Sequence, residues 1–389
     1  MSPNILIFSS RLLPASETFI KSQSERLVNF NSYYLGARRV NGIPLDADRT
    51  LVINDGGLVG LAKEWSFKKL GISPQIYSAI RTINPVLMHA HFGVCGALAL
   101  PIAQTLRLPL VVTYHGFDAC MTDDYARCDS LSTRVYLRRR DALKQKVQQF
   151  IAVSQFIKDR LVQQGFPESK ILVHYIGVDV DQFQPDLSLP RRPVVLFVGR
   201  LTEKKGCEYL IRAMAQVQTN YPDAKLVVIG DGTLRRDLEA QAQASLKSYK
   251  FLGMQPPEIV REWMNKSLVL AAPSVTTTTG DSEGLPMVII EAQAMGLPVV
   301  GSVHAGIPEA IAHGKTGFLA PERDWQALAG QIQNLLQDSD LWQQFSHTGQ
   351  QRVQTDFNLH RQGQALEAIY KAVIDRASHI PSSSVSCVS

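Results

Sequence analysis

Short apolar runs recur along the whole chain, each followed by a longer segment in which apolar residues return every three or four positions. The short runs predict strands, the longer segments helices, and their regular alternation predicts an α/β fold with parallel sheets. The first half offers strands at 4–9, 32–35, 51–53, 86–91, 110–114, 150–153 and 171–175. The second half restarts the pattern at 194–198, 225–229, 249–252, 268–271 and 298–301. Between them, 183–193 carries Pro185, Pro190 and Pro193 and little periodicity, which marks a linker.

The expected organisation is therefore two Rossmann-like, doubly wound domains facing a central cleft, 1–185 and 186–357. A closing helix at 358–377 follows, and a serine-rich tail, 378–389, is expected to be disordered. Ligands gather at the C-terminal strand ends of such sheets, which picks out loops. In the first half these are Ser10–Thr18, His91-Phe92-Gly93 and His115-Gly116-Phe117-Asp118. In the second they are Gly199–Gly206, Gly230-Asp231-Gly232, Gly253-Met254 and Pro273–Pro286.

Thr279–Ala292 has the most chemistry per residue. Gly280, Gly284 and Pro286 punctuate a loop, and from Met287 the pattern turns helical, with Val288, Ala292 and Met295 on one face and Gly296 as the stop. A helix N-terminus there offers free N–H groups and the positive end of the macrodipole to a phosphate. Glu283 precedes it and Glu291 lies two turns on, both suited to ligand hydroxyls, although either is equally at home as a solvated carboxylate.

In Gly199–Gly206, Arg200 and Lys205 leave a strand end and enter a helix start, where cations oppose the dipole unless an anion sits between them. Gly230-Asp231-Gly232 opens like a dinucleotide fingerprint, but Arg235 replaces the third glycine, which argues against a nicotinamide site. His115 closes the apolar strand 110–114 and reads as a ligand or catalytic group, or else as a satisfied turn histidine. His89 and His91 share a strand face; structure is the better account of His89, and His91 stays open as an acceptor contact. Asp46-Ala47-Asp48 and Asp179-Val180-Asp181 match the short metal-binding pattern of some sugar transferases, yet both read as solvated loops, so no metal or other cofactor is expected.

Composition narrows the class. The 389 residues are 45% hydrophobic and 19% charged, ordinary for a globular chain with room for two cores. Residues 1–185 carry 21 Lys+Arg against 15 Asp+Glu, whereas 186–389 carry 19 against 20. The basic run Arg134–Lys146 in the first half is a solvated face or a weak attraction to an anionic membrane surface; without a recognition motif, nucleic acid is not expected. The apolar start Ile5–Phe8 is too short for a secretory leader, no span-length apolar stretch occurs, and five cysteines without a CxxC pair indicate neither disulfides nor zinc. A cytoplasmic location, with peripheral contact to the inner face of the cell membrane, is the expectation.

Taken together, the Glu283/Glu291 pair with its Gly284-Leu285-Pro286 turn, the Arg200/Lys205 loop, His115-Gly116, and Val153-Ser154 leading to Gly177-Val178-Asp179 resemble glycosyltransferase family 4, the retaining GT-B enzymes. Pro14–Ile20 and His89–Gly93 also resemble the subset that builds bacterial exopolysaccharides. The resemblance implies a nucleotide-diphosphate sugar donor, UDP favoured and GDP possible, a saccharide or lipid-linked saccharide acceptor, and no metal. It implies that Gly199, Arg200 and Lys205 meet the diphosphate and Glu291 the ribose. Glu283 with Gly284, Leu285, Pro286, Met287 and Val288 would hold sugar and phosphates, and Gly253-Met254 would lie by the base. His115 would stand near the anomeric carbon, with Glu17 and His91 toward the acceptor; His115, Arg200, Lys205 and Glu283 would carry the chemistry. The first loop, Ser10–Pro14, lacks the glycines many family members have there. A nucleotide-sugar epimerase on the same architecture, or a non-catalytic nucleotide-sugar-binding protein, are the alternatives.

Overall fold

The computed structural model describes residues 2–14 and 16–379, so most of the expected tail lies outside the described residues. Two parallel sheets form the framework. The first contains β1 (Asn4–Leu12), β2 (Asn31–Arg39), β3 (Thr50–Asn54), β4 (Leu87–His91), β5 (Leu110–Tyr114), β6 (Gln149–Ala152) and β7 (Ile171–Val173), in the order β3-β2-β1-β4-β5-β6-β7. The second contains β8 (Arg192–Val198), β9 (Lys225–Ile229), β10 (Tyr249–Phe251), β11 (Ser267–Ala272), β12 (Val299–Ser302) and β13 (Gly317–Ala320), in the order β10-β9-β8-β11-β12-β13. Every apolar run expected as a strand is one, and β13 is an addition. Its four residues follow a turn that a short Gly-Phe-Leu-Ala run does not distinguish from loop.

Both sheets reverse strand order beside their first strand, at β1/β4 and at β8/β11. Those are the switch points where connections diverge to opposite faces and leave a crevice. The central strands are buried on both faces, as in Ile5–Phe8, Val111–Val112 and Val195–Leu196, because helices cover each side. Leu210, Ile211, Met214 and Val217 form the buried stripe of the Cys207–Asn220 helix, as their spacing predicts.

The Leu359–Ser378 helix packs Leu366, Tyr370 and Val373 against Ile5, Ile7 and Ile151 of the first sheet. Tyr370 Oη meets His89 Nδ1 at 2.6 Å, and His89 Nε2 meets Thr113 Oγ1 at 2.7 Å. His89 is thus a fully satisfied core residue. The chain crosses between domains at a short parallel bridge, where Val178 N–H donates to Phe357 O (2.8 Å) and Leu359 N–H to Val178 O (3.0 Å).

Candidate active site

On the second domain, the loops after β8 and β11 meet. Val275 N–H donates to Lys204 O at 2.8 Å, and Gly206, at φ +63°, lies so close to Pro273 O that a Cβ would strike it. This contact brings Lys205 Nζ to 2.7 Å from Glu283 Oε1, to which Ser274 Oγ also donates at 3.1 Å. Lys204 Nζ pairs with Asp281 at 3.0 Å. Burial alone would raise the Glu283 carboxyl, but Lys205 and Lys204 outweigh it and hold the group at about 2. Glu283 is therefore ionised throughout the physiological range, although only 7% exposed.

The backbone of Glu283 is fixed as well. Its N–H donates to His304 Nε2 (3.1 Å), and His304 Nδ1 lies 2.6 Å from Glu322 Oε1. With Nε2 accepting, Nδ1 carries the proton and donates it to Glu322, which sets the tautomer. Neither His304 nor Glu322 was singled out in the sequence, because each is remote from Glu283 along the chain and neither forms a local motif. Pro286 then caps the Met287–Ala294 helix without a side-chain cap, leaving its first turn toward the loop. Gly296, at φ +61°, follows its end, as expected.

Arg200 is exposed, and its guanidinium takes no partner among the described residues. Its neighbour Gly199 has the Lys205 stem alongside. Glu291 is half-buried and its carboxyl receives no hydrogen bond among the described residues; burial pushes that carboxyl up to about 7, with Arg261 pulling the other way. Gly253 takes φ +69°, its carbonyl accepts from Gly230 N–H (2.8 Å), and Met254 beside it is exposed. Arg235, in place of the third fingerprint glycine, pairs with Asp231 (2.8 Å) and Glu239 (2.9 Å) and reaches over Gly253.

The first domain presents a different surface. His115 Nε2 lies 3.1 Å from His91 Nδ1, the rings stacked at 23°, while Phe19 and Phe92 flank His115 with centroids at 4.9 and 4.7 Å. His115 Nδ1 is buried with no partner. Burial holds both rings in their neutral form, His91 at about 3 and His115 well below the usual imidazole value. His91 is 1% exposed, and its Nδ1 is the partner of His115 Nε2. Phe92 takes φ +74°, a backbone conformation a bulky residue holds only under constraint, and so turns its ring onto His115.

Asp118, which the sequence placed in the His115 loop without a role, ties these loops together. Oδ1 accepts from the N–H groups of His115 and Gly116 at 3.0 Å each, and Oδ2 from Gly93 N–H at 2.7 Å. Glu17 lies half-buried in the β1/β4 crevice, with Ser9 Oγ at 3.4 Å, and burial raises its carboxyl to about 7.

The domains meet along these loops. A Cβ on Gly284 would strike the His115 carbonyl, one on Gly306 would strike the Gly284 carbonyl of its own domain and crowd Ser154 Oγ of the other at 3.1 Å, and Gly116 lies against Ser282 and Gly284. Glu309 of the second domain accepts from Gln155 N–H (2.7 Å) and Phe156 N–H (2.9 Å) at the start of the Gln155–Gln163 helix of the first. Gly284 is thus required by contact across the cleft as much as by its own turn.

Of the two Asp-x-Asp pairs, the first is exposed and used locally, Asp46 Oδ1 accepting from Asp48 N–H at 3.0 Å; the second departs from the expected solvated loop, since Asp179 is mostly buried and pairs with the distant Arg26, while its Oδ1 accepts from Asp181 N–H at 3.1 Å. The basic run is only partly free. Arg139 donates to Ala97 O (3.0 Å) and Lys69 O (3.2 Å), and Arg140 makes a double ion pair with Asp123 (2.7 and 2.8 Å). Both are spent on packing, and only Arg134, Arg138 and Lys146 of its cations are exposed. No helix among the described residues is long and apolar enough to cross a membrane.

Comparison with known proteins agrees with this geometry. Residues 179–352 match the model of group 1 glycosyl transferases, and 37–182 that of glycosyltransferase family 4. The chain is 31% identical over 291 residues to a putative colanic acid biosynthesis glycosyltransferase, WcaL, of Salmonella typhimurium, covering 73% of this chain and 70% of that one. It is 31% identical over 280 residues to the amylovoran biosynthesis glycosyltransferase AmsK of Erwinia amylovora, covering 69% and 66%. Among solved structures, sucrose-phosphate synthase from Thermosynechococcus elongatus superposes with TM-score 0.77 at 21% identity, covering 96% of this chain and all of that one. Anabaena HepE, solved with UDP and glucose, superposes with TM-score 0.75 at 20% identity over 95% of this chain and all of the other.

Proposed function

The chain belongs to the group 1 and family 4 glycosyltransferases and has their two-domain GT-B fold, and from that premise we propose that it moves a hexose from a nucleotide-diphosphate sugar to a saccharide or lipid-linked saccharide in exopolysaccharide synthesis, with retention and without metal. The observation that carries this is the meeting of the ionised Lys205–Glu283 pair with His115 across the Gly116/Gly284 contact. HepE is described with UDP and with UDP-glucose, which favours UDP as the leaving group here.

Arg200, Lys205 and the open first turn at Met287 neutralise the diphosphate as it departs. The bond from the anomeric carbon to the diphosphate oxygen breaks, and the acceptor oxygen bonds to that carbon on the same face. The acceptor proton passes to the departing diphosphate. Glu283, ionised and fixed by His304, accepts from donor-sugar hydroxyls, and Glu291 from the ribose. His115, neutral and held by His91 and Asp118, lies beside the sugar, with Glu17 on the acceptor side. Such an enzyme works in the cytoplasm at the inner face of the membrane.

The test is transfer from labelled UDP-hexose to a lipid-linked acceptor fraction, with retained anomeric configuration in the product. Activity is expected to persist in excess EDTA; complete loss, restored by Mg²⁺ or Mn²⁺, overturns the metal-free scheme. Sugar altered without acceptor identifies an epimerase, and nucleotide binding with neither transfer nor hydrolysis a binding protein.

A further inference from the structure

The Gly57–Leu70 helix is apolar on both sides. Its inner face buries Phe67, edge-on to Phe8 at 5.9 Å, and Glu64, which is paired with Lys68 (2.5 Å) and takes a hydrogen bond from Asn54 (2.7 Å). Its outer face shows Leu58, Val59, Leu61, Trp65 and Leu70, with Ile72 just beyond, each between 52% and 85% exposed. These six are half of the large apolar side chains exposed among the described residues. A cluster of that kind marks a surface that something covers, whereas scattered exposed leucines mean nothing.

We infer that this helix and Ile72 form a docking surface for an anionic lipid bilayer. Charge decides between occupants. Lys69 Nζ lies 4.6 Å over the Trp65 ring in the middle of the patch, and Arg139 donates to Lys69 O, which joins the patch to the basic Leu131–Lys146 helix. That neighbour leaves Arg134 and Arg138 exposed. An apolar strip with Trp and Leu bordered by cations suits the interface of an anionic membrane. A second copy would bring Lys69 and its basic border against themselves in a two-fold contact, which like charge opposes.

Placement fits too. The helix starts two residues after β3, at the C-terminal edge of the first sheet, the edge that also carries the Glu17 and His115 loops. A bilayer on this strip lies beside the crevice that a lipid-linked acceptor has to enter. The purpose of the docking rests on the proposed function, but the docking itself does not.

The experiment is sedimentation of the full chain with vesicles of phosphatidylglycerol and phosphatidylcholine, and with phosphatidylcholine alone. The wild type is expected to bind the anionic vesicles, more weakly at high salt, and Leu61→Ser/Trp65→Ser to bind at least about tenfold more weakly with unchanged thermal unfolding. Brominated lipid should quench wild-type tryptophan emission more than that of Trp65→Phe, which reports insertion even if the double variant folds poorly. No wild-type binding, equal binding by the double variant, or quenching that ignores Trp65 overturns the inference. So does a dimer of the wild type that the double variant loses, which assigns the strip to a second copy. A chain that binds vesicles and transfers no sugar overturns the enzyme proposal alone.

Discussion

On the second domain's wall of the cleft the polar groups are ionised and paired: Lys205 with Glu283, Lys204 with Asp281, and Arg200 held out beside them. On the first domain's wall the histidines His91 and His115 are buried and neutral, and Phe19 and Phe92 flank His115. A wall that meets a diphosphate has to carry fixed charge before the ligand arrives, because a preorganised cation costs no rearrangement when charge develops. A wall that meets a sugar needs shape and a few hydrogen-bonding atoms; a fixed cation there would gain nothing from a neutral ring. The difference between the walls is thus a difference between what each would hold.

The largest effect should come from the charged wall. Arg200→Ala removes a cation whose partner would be the departing diphosphate, and kcat is expected to fall by about 10² to 10³, or about 3 to 4 kcal/mol. Because its side chain is exposed and has no hydrogen bond or ion pair among the described residues to lose, thermal unfolding should stay where it is. An effect confined to KM would mean that Arg200 binds the donor without acting on the transition state.

The neutral wall should respond less. His91→Leu takes away the partner of His115 Nε2, and transfer is expected to drop about tenfold, the factor that follows from about 1.4 kcal/mol of lost positioning. Donor KM should not move, and His91→Gln, which keeps a polar atom behind His115, should recover part of kcat. A fall in donor affinity with unchanged kcat would show that the histidines serve the nucleotide, and the two walls would not divide the work.

Much of this was legible beforehand because it is local. The apolar runs gave the strands, the turn at Gly284-Leu285-Pro286 gave the helix start, and the loop positions followed from parallel topology. What stayed hidden depends on distance in sequence. His304 orients Glu283 from 21 positions away, and Glu309 reaches Gln155 across 154. The basic run was legible only as a count of cations, which does not reveal that Arg140 is already paired with Asp123. The outward apolar face of the Gly57–Leu70 helix was hidden too, because apolar residues stand all round that segment and only the structure shows that Phe67 faces in while Leu58, Leu61 and Trp65 face out.

A smaller effect concerns Glu291, whose carboxyl burial raises to about 7. A ribose hydroxyl donating to it favours the ionised form, so binding lowers its pKa and releases a proton. UDP affinity should therefore rise with pH below about 7, by up to about tenfold per unit, and flatten above. Glu291→Gln should weaken binding, leave kcat nearly unchanged and abolish this slope. In the free protein the sign is opposite: the folded state holds that proton more tightly than the unfolded chain does. Its contribution to stability is thus lost as pH rises from the ordinary carboxyl range to about 7, whereas that of Glu283 is lost only as pH falls toward about 2. A slope that survives in Glu291→Gln would assign it to Glu17, on the other wall.

The smallest effect should come from the contact that brings the walls together. Glu309 lends its carboxylate to the first two N–H groups of the Gln155–Gln163 helix, and Tyr175 Oη donates to it at 3.1 Å, so one anion of the second domain caps a helix of the first. That helix already has its own cap, since Ser154 Oγ accepts from Ile157 N–H at 3.3 Å, and so it does not need Glu309 in order to form. What Glu309 adds is a preference for the joined arrangement of the domains. Glu309→Gln keeps the shape and one acceptor oxygen but removes the charge that meets the helix dipole, at a cost of about 1 kcal/mol. Joined molecules should become about fivefold rarer relative to parted ones, which raises donor KM by a similar factor at most and leaves saturated kcat alone. Small-angle scattering should show a larger radius of gyration for the variant and a return toward the wild-type value when UDP is added. An unchanged radius and an unchanged KM would mean that the glycine contacts at Gly284 and Gly306 hold the walls together by themselves.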